Sequence, residues 1–276
     1  MSERKQQLIA VRGGGDLATG TIHKLVRCGW PVVILETDLP SAIRRQVSFC
    51  EAVYNGTSEI EGIVCRRAMN VAEVYEILKN GEVPLLVDPE AVSLKELKPW
   101  AVVDAILAKK NLGTTRDMAK KTIALGPGFE AGVDVDLVIE TKRGHNLARI
   151  ITSGAAAPNT GIPGVIAGFG KERVIHSPAR GIFLGKAKIG DVVEKDQVIG
   201  VVVTGAGEVE VPASLTGILR GLIRDGYPVS VGFKIADIDP RESELDNCFT
   251  ISDKARAIAG SVVEALLWLE AREEEA

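Results

Sequence analysis

The chain has 276 residues, 46% hydrophobic and 25% charged, with a formal net charge of −4. That length favours two domains over one core, the charge offers no basic footprint for nucleic acid, and no apolar run approaches the roughly 18 residues that span a membrane. Cys28, Cys50, Cys65 and Cys248 lie scattered without C-x-x-C spacing, so no disulfide framework is expected. The start, MSERKQQLIAV, shows no apolar signal core or cleavage site, and the expectation is a cytoplasmic protein.

Two kinds of segment alternate over the first half. Leu8–Arg12 reads as a buried strand, and Leu17–Cys28 as a helix with Ile22, Leu25 and Val26 on one face. Pro31–Glu36 is a second β-branched strand. Asn70 with Glu73 forms a capping pattern, followed by the stripe Val71, Val74, Ile77 and Leu78 up to Gly81. Apolar runs follow at 84–87, 101–106, 122–125 and 137–139. This alternation predicts an α/β fold, a Rossmann-like and mostly parallel sheet over residues 1–155 that binds a nucleotide or cofactor.

The small-residue stretch SGAAAPNTGIPG (153–164) reads as a linker or binding loop. Residues 170–240 then read as an all-β module with a faint repeat. Pro178, Gly181, Gly190 and Val193 align with Pro212, Gly217, Gly226 and Val229, at an offset of 34 and then 36 residues. The pattern resembles the barrel-sandwich hybrid of lipoyl and biotinyl carriers. VVTGAGEVEV (202–211) stands where those carriers hold their modified lysine and contains none, so the carrier function is excluded and only the fold expectation stays. A C-terminal helix is predicted over 250–273, opened by Thr250 and Asp253 and apolar along Ala255, Ile258, Ala259, Val262, Val263, Leu266 and Leu267. It serves equally as a domain seam or as the face of a homo-oligomer.

The triplet Gly13-Gly14-Gly15 follows the first strand and opens the first helix, and with Asp16, Leu17 and Ala18 it fits G-x-G-x-x-A. Glu36 ends the next strand 21 residues beyond Gly15, where an acid reaches a ribose hydroxyl. Free N–H groups at a helix start hold a phosphate by about 0.3–2 kcal/mol. Against this, Asp16 is placed to cap those groups itself. A ligand site and a tight turn with no ligand both stay open.

Other candidates lie at strand ends. Arg44 and Arg45 could neutralise a second phosphate or stand on a solvated face. Gly126, Gly128 and Phe129, in GPGF, could border a ligand or make a sharp turn. Glu140, Arg143 and His145 form a polar group suited to acid–base or anion-binding work, or to solvation. His23, His145 and His176 do not cluster, so no metal site is expected, and no catalytic residue is assigned.

The phrases RGGGDLATG, ETDLPSAIRRQVSFCEAVYNG, VVDAILAKKNLGT, ALGPGFEAGVDVDLVIETKRGH, PNTGIPG, KIADIDPR and ISDKARAIAG resemble one family over nearly the whole chain. It is the YqeB-type accessory proteins of the selenium-dependent molybdenum hydroxylase system, distantly similar to XdhC-type xanthine dehydrogenase accessory factors. The resemblance implies a maturation factor that binds or delivers molybdenum cofactor. A molybdopterin cytosine dinucleotide would then lie on Gly13–Gly15, and a hydroxylase apoprotein and other maturation factors would be partners. An NAD(P)-dependent oxidoreductase and a purely structural interaction protein are the competing readings.

Overall fold

The computed structural model describes residues 6–161 and 164–274. Ile162 and Pro163 of the expected linker, the first five residues and the acidic end beyond Glu274 lie outside the described residues. The chain forms two compact units, neither continuous in sequence. Unit 1 comprises Met1–Pro40, Ser48–Thr160 and Ile251–Ala276; unit 2 comprises Ser41–Val47 and Gly161–Thr250.

Unit 1 is built on a nine-stranded sheet. Its strands are β1 (Ile9–Arg12), β2 (Val32–Glu36), β3 (Thr57–Ile60), β4 (Ile63–Ala68), β5 (Val83–Val87), β6 (Ala101–Asp104), β7 (Lys121–Leu125), β9 (Leu137–Ile139) and β10 (Ile150–Ile151). A separate pair is formed by β8 (Glu130–Ala131) and β11 (Gly154–Ala155). The sheet order is β10-β9-β7-β6-β1-β2-β5-β4-β3, with antiparallel pairing of β3 to β4 and of β10 to β9 at the two edges. The inner strands are buried on both faces, which is why they read as continuous apolar runs and not as alternation. Ile9, Val11, Ile34 and Val103 enter one core, beneath α1 (Asp16–Arg27) and α5 (Asp253–Glu274). Ala10, Val33, Leu35 and Val102 enter the other, against α3 (Val71–Lys79) and the single turn α4 (Leu94–Leu97); α2 (Ala52–Asn55) is likewise one turn.

Local chemistry explains the helix starts. Asn70 Oδ1 accepts from Glu73 N at 3.0 Å and Glu73 returns a bond to Met69 N, the reciprocal cap read from the sequence. At α5 the cap differs from expectation. Ser252 Oγ accepts from Ala255 N at 3.2 Å, while the Thr250 hydroxyl donates to Asp246 O. Helices α1 and α5 pack closely because residue 20 is glycine: a Cβ there would lie 2.7 Å from the Ala255 Cβ. Lys24 Nζ adds a bond to Arg256 O at 3.2 Å.

Unit 2 contains β12 (Val174–His176), β13 (Gly181–Gly185), β14 (Val192–Val193), β15 (Val198–Thr204), β16 (Gly207–Pro212), β17 (Gly217–Leu222), β18 (Pro228–Val229) and β19 (Lys234–Asp239). They form two four-stranded antiparallel sheets, β12-β19-β17-β14 and β16-β15-β13-β18. Phe183, Ile199, Val202, Ile218, Leu219, Ile235 and Ile238 fill the core. Asp237 is nearly fully buried between two arginines, Arg173 Nη2 at 3.0 Å and Arg220 Nε at 2.8 Å. Both partners are needed to hold a carboxylate out of water.

The fold expectation is corrected in both units. In place of a Rossmann-like domain, unit 1 has a nine-stranded mixed sheet whose six inner pairings are parallel and whose two edge pairings are antiparallel, and β5 stands between β4 and β2. The periodicity that marked each strand as buried carried no information on this crossing order. In place of a barrel-sandwich hybrid, unit 2 has two separate sheets to which β12, β15 and β19, outside the repeated stretches, contribute. Residues 41–47 join it as well.

Candidate functional site at the carboxyl edge of the parallel strands

The carboxyl ends of β1, β2, β6 and β9 place Arg12, Glu36, Asp104 and Glu140 at one edge of the sheet. At β1 the three glycines divide into different roles. Gly13 has φ +97°, and a Cβ would meet Ala105 O and Ile106 Cα at 3.0 Å. A Cβ on Gly14 would meet Cys50 N at 3.0 Å, and the Gly14 carbonyl accepts from Cys50 N at 2.9 Å. Gly14 N donates to Glu36 Oε2 at 2.7 Å, and Thr37 N donates to Oε1 at 2.8 Å. The backbone of Gly13 and Gly14 is therefore covered by protein, and the Glu36 carboxylate occupies the amide expected to meet a phosphate. Burial pushes the Glu36 carboxyl above its ordinary pKa, opposed by the Thr37 and Gly14 amides.

Gly15 differs. It is the residue preceding α1, with φ −68° and ψ −177°, it brings no side chain to cap the helix, and a Cβ there would meet nothing within 4 Å. Asp16 is the first helical residue. Ala18 is fully buried in the core under α1. Of the three glycines, Gly15 is the one at which a side chain would enter open space.

Beside this turn lies Lys254, the second residue of α5. It is half-buried, and among the described residues no hydrogen bond or ion pair reaches its ammonium. Burial lowers its pKa, helped by the positive charge of Arg143 and opposed by Asp16, Glu140 and Asp253. Arg143 forms a bidentate pair with Asp253, both bonds 2.9 Å, on an exposed surface. Glu140 is almost fully buried, and its two oxygens accept from Lys142 N and Ala157 N at 2.7 Å each. Lys254, Arg143 and Asp16 therefore meet at the place where α1 and α5 both begin.

The remaining sequence candidates separate from this group. Arg44 and Arg45 belong to unit 2, where Arg44 Nη2 bonds Asn247 O at 2.7 Å and Arg45 Nε bonds Leu222 O at 2.8 Å. Their guanidiniums bond backbone carbonyls of their own unit. Gly126 and Gly128 have φ +79° and +109°, and a Cβ at either would come within 2.5 Å of Thr141 Oγ1 or Lys110 Cα. They make close turns. Phe129 fills a small apolar core with Ala124, Val135 and Val138. His145 is exposed on the loop after β9.

Sequence reading missed a buried polar group at the same edge. Arg12 and Asp104 are register partners on β1 and β6, and Thr114 bonds both. The only signal was a charge closing each of two apolar runs, AVR and AVVD. Lys254 carried no signal, because its neighbours are distant in sequence. Among the described residues no group of three or more His, Cys, Asp or Glu could hold a metal ion, and no helix is long and apolar enough to cross a membrane.

No family model matches the chain. Among solved structures it aligns with the product-bound ectoine utilization protein EutE (DoeB) from Ruegeria pomeroyi at 13% identity and TM-score 0.23, over 83% of this chain and 56% of that one. An aspartoacylase family protein from Mesorhizobium loti aligns at 16% identity and TM-score 0.30, over 85% of each chain. A succinylglutamate desuccinylase/aspartoacylase from Rhodobacter sphaeroides aligns at 13% and 0.27, over 85% of this chain and 86% of that one. With Glu36 seated on the Gly14 and Thr37 amides, the expectation that a dinucleotide pyrophosphate, of molybdenum cofactor or of NAD(P), lies on Gly13–Gly15 is corrected. A sequence match is far stronger: the chain is 50% identical over 264 residues to the uncharacterized protein YqeB of Escherichia coli (strain K12), across 95% of this chain and 48% of that protein. The match supports kinship with YqeB and does not extend to selenium, molybdenum or XdhC-type factors. The chain is thus a YqeB relative that spans about half the length of the curated protein it matches.

Proposed function

We propose that this chain binds a small molecule through a singly charged anionic group, seated between the first turn of α1 at Gly15 and the ammonium of Lys254. The observation that carries this reading is the half-buried Lys254, whose ammonium feels the charges of Arg143, Asp16, Glu140 and Asp253, in the same unit as a helix start whose N-cap residue, Gly15, brings no side chain. A helix N-terminus and a cation together favour a carboxylate or a similar anion.

The charge of the surroundings limits the ligand. Arg143 and Asp253 neutralise one another, and Glu140 is saturated by two backbone amides. Lys254 then faces the negative charges of Asp16 and Glu140, a setting that opposes a multiply charged phosphate. Calorimetric titration of the chain with lactate, acetate and pyrophosphate tests the reading. Monocarboxylates are expected to bind more tightly than pyrophosphate, and Gly15→Val to abolish their binding. Tighter binding of pyrophosphate, or lactate binding untouched by Gly15→Val and by Lys254→Met, would overturn it.

A further inference from the structure

We infer that the outer face of the sheet β16-β15-β13-β18 in unit 2 binds the same face of a second copy of this chain, forming an isologous dimer. Phe183 on β13 and Val202 on β15 are register partners, and both are fully buried in the core of the unit. Side chains alternate along a strand, so Ile182 and Leu184 point away from that core, as do their partners Val203 and Val201. Pro228 on β18 continues the row through Ile182, and Glu208 and Glu210 on β16 stand opposite Val203 and Val201. In the middle of this face Ile182 and Leu184 are each 42% exposed and Val203 is 36% exposed. Single exposed apolar residues are ordinary, but these occupy adjoining register positions and form one patch. A contiguous apolar patch rimmed by charge marks an interaction surface.

The charges around the patch select the occupant. Arg180 and Lys186, both exposed, stand immediately before and after β13, whereas Glu208 and Glu210, also exposed, lie on β16. Strand β15 runs between β13 and β16. The face is therefore basic along one side, apolar in the middle and acidic along the other, which makes it complementary to itself. A twofold axis parallel to β15, midway between two such sheets about 10 Å apart, sets β13 of each copy over β16 of the other. Arg180 and Lys186 then meet the acidic side of the second copy, and the two apolar middles stack. A twofold axis across the strands would instead lay β13 on β13 and bring Arg180 to Lys186, like charge against like. Only the axis along β15 satisfies both the charges and the apolar patch. A contact of this kind closes as a dimer and leaves no copy of the face free to recruit a third chain.

The test is charge exchange, read by light scattering on the full chain over a range of concentrations. The parent is expected to be dimeric. Arg180→Glu/Lys186→Glu makes the rim wholly acidic, and Glu208→Arg/Glu210→Arg makes it wholly basic. All four positions are exposed, so both variants are expected to keep the circular dichroism of the parent. Each variant alone is expected to dimerise at least about tenfold more weakly than the parent, and an equimolar mixture of the two to recover the dimer. That recovery cannot arise from misfolding. A monomeric parent overturns the inference, and so does a mixture that stays as monomeric as its components. A parent dimer that persists in both charge variants and parts on Trp268→Glu places the contact on the exposed apolar side of α5 and overturns it as well.

Discussion

Arg12 and Asp104 stand opposite each other as register partners on adjacent parallel strands, Nη1 3.9 Å from Oδ2, with the Thr114 hydroxyl 2.5 Å from each. Both are at most 2% exposed. Arg12 Nη2 also bonds Pro89 O at 2.8 Å, so one guanidinium ties together β1, β6, the turn after β5 and the loop that ends at Thr114. Removing one member of a buried pair leaves an uncompensated charge, which costs about 3–5 kcal/mol. Arg12→Met is expected to lose that much in urea unfolding. The double variant Arg12→Met/Asp104→Leu is expected to regain much of it, because no charge is then left buried. Equal stability of the single and double variants would show that Asp104 is not the group left stranded.

Glu36 sets a pH dependence. Burial raises its carboxyl pKa in the folded chain, so the folded state keeps this proton to higher pH than the unfolded state does. Stability from this group is therefore fully present below the unfolded value of about 4.3. It falls as pH climbs toward the raised folded value, and is flat above it. Glu36→Gln is expected to remove that sloping segment from a plot of unfolding free energy against pH. Above the window the variant should be less stable by about 1–3 kcal/mol, since the Gln amide presents a donor to one of the two N–H groups that Glu36 accepts.

The three glycines of the turn should respond differently to alanine. Gly13→Ala forces a side chain into φ +97° against Ala105 O, and Gly14→Ala drives a Cβ to 3.0 Å from Cys50 N. Each is expected to cost about 1–3 kcal/mol. Gly15→Ala enters open space at an ordinary φ and should stay within about 1 kcal/mol of the parent. Thermal melts of the three variants check the order, and a Gly15→Ala variant as unstable as the other two would remove the open seat.

The sequence was legible where the physics is local. The inner strands of unit 1 were readable as apolar runs, and the start of α3 as an Asn70–Glu73 cap, because burial on two faces and helix capping each leave a pattern within a few residues. The fold class was not, since β4-β5-β2 adjacency depends on crossovers that no periodicity encodes. The glycine fingerprint misled for a related reason. Its spacing requires bare backbone, and the structure shows that two of the three positions meet Ala105 and Cys50 in place of a ligand. Arg44 and Arg45 are close to β2 along the chain yet part of unit 2, a placement that no local pattern encodes. Lys254 was invisible because Asp16, Glu140 and Arg143 reach it only after folding.

The seat at α1 depends on how closely α5 approaches it, and that approach is set by one pair of small residues. With Gly20 replaced by alanine, the new Cβ would lie 2.7 Å from the Ala255 Cβ and 3.0 Å from its carbonyl carbon and oxygen. Helix backbone cannot yield at that contact, so α5 must shift away, at a cost of about 1–3 kcal/mol. Ala255→Gly alone removes a methyl and adds helix flexibility, for about 1 kcal/mol. Combined, the two changes exchange which helix carries the methyl, and the losses should add to less than their sum. Urea unfolding of the four chains measures this coupling, and hydrogen exchange of the α5 amides locates it. Strict additivity, with α5 protection unchanged in Gly20→Ala, would mean that the glycine is not what brings Lys254 to the start of α1.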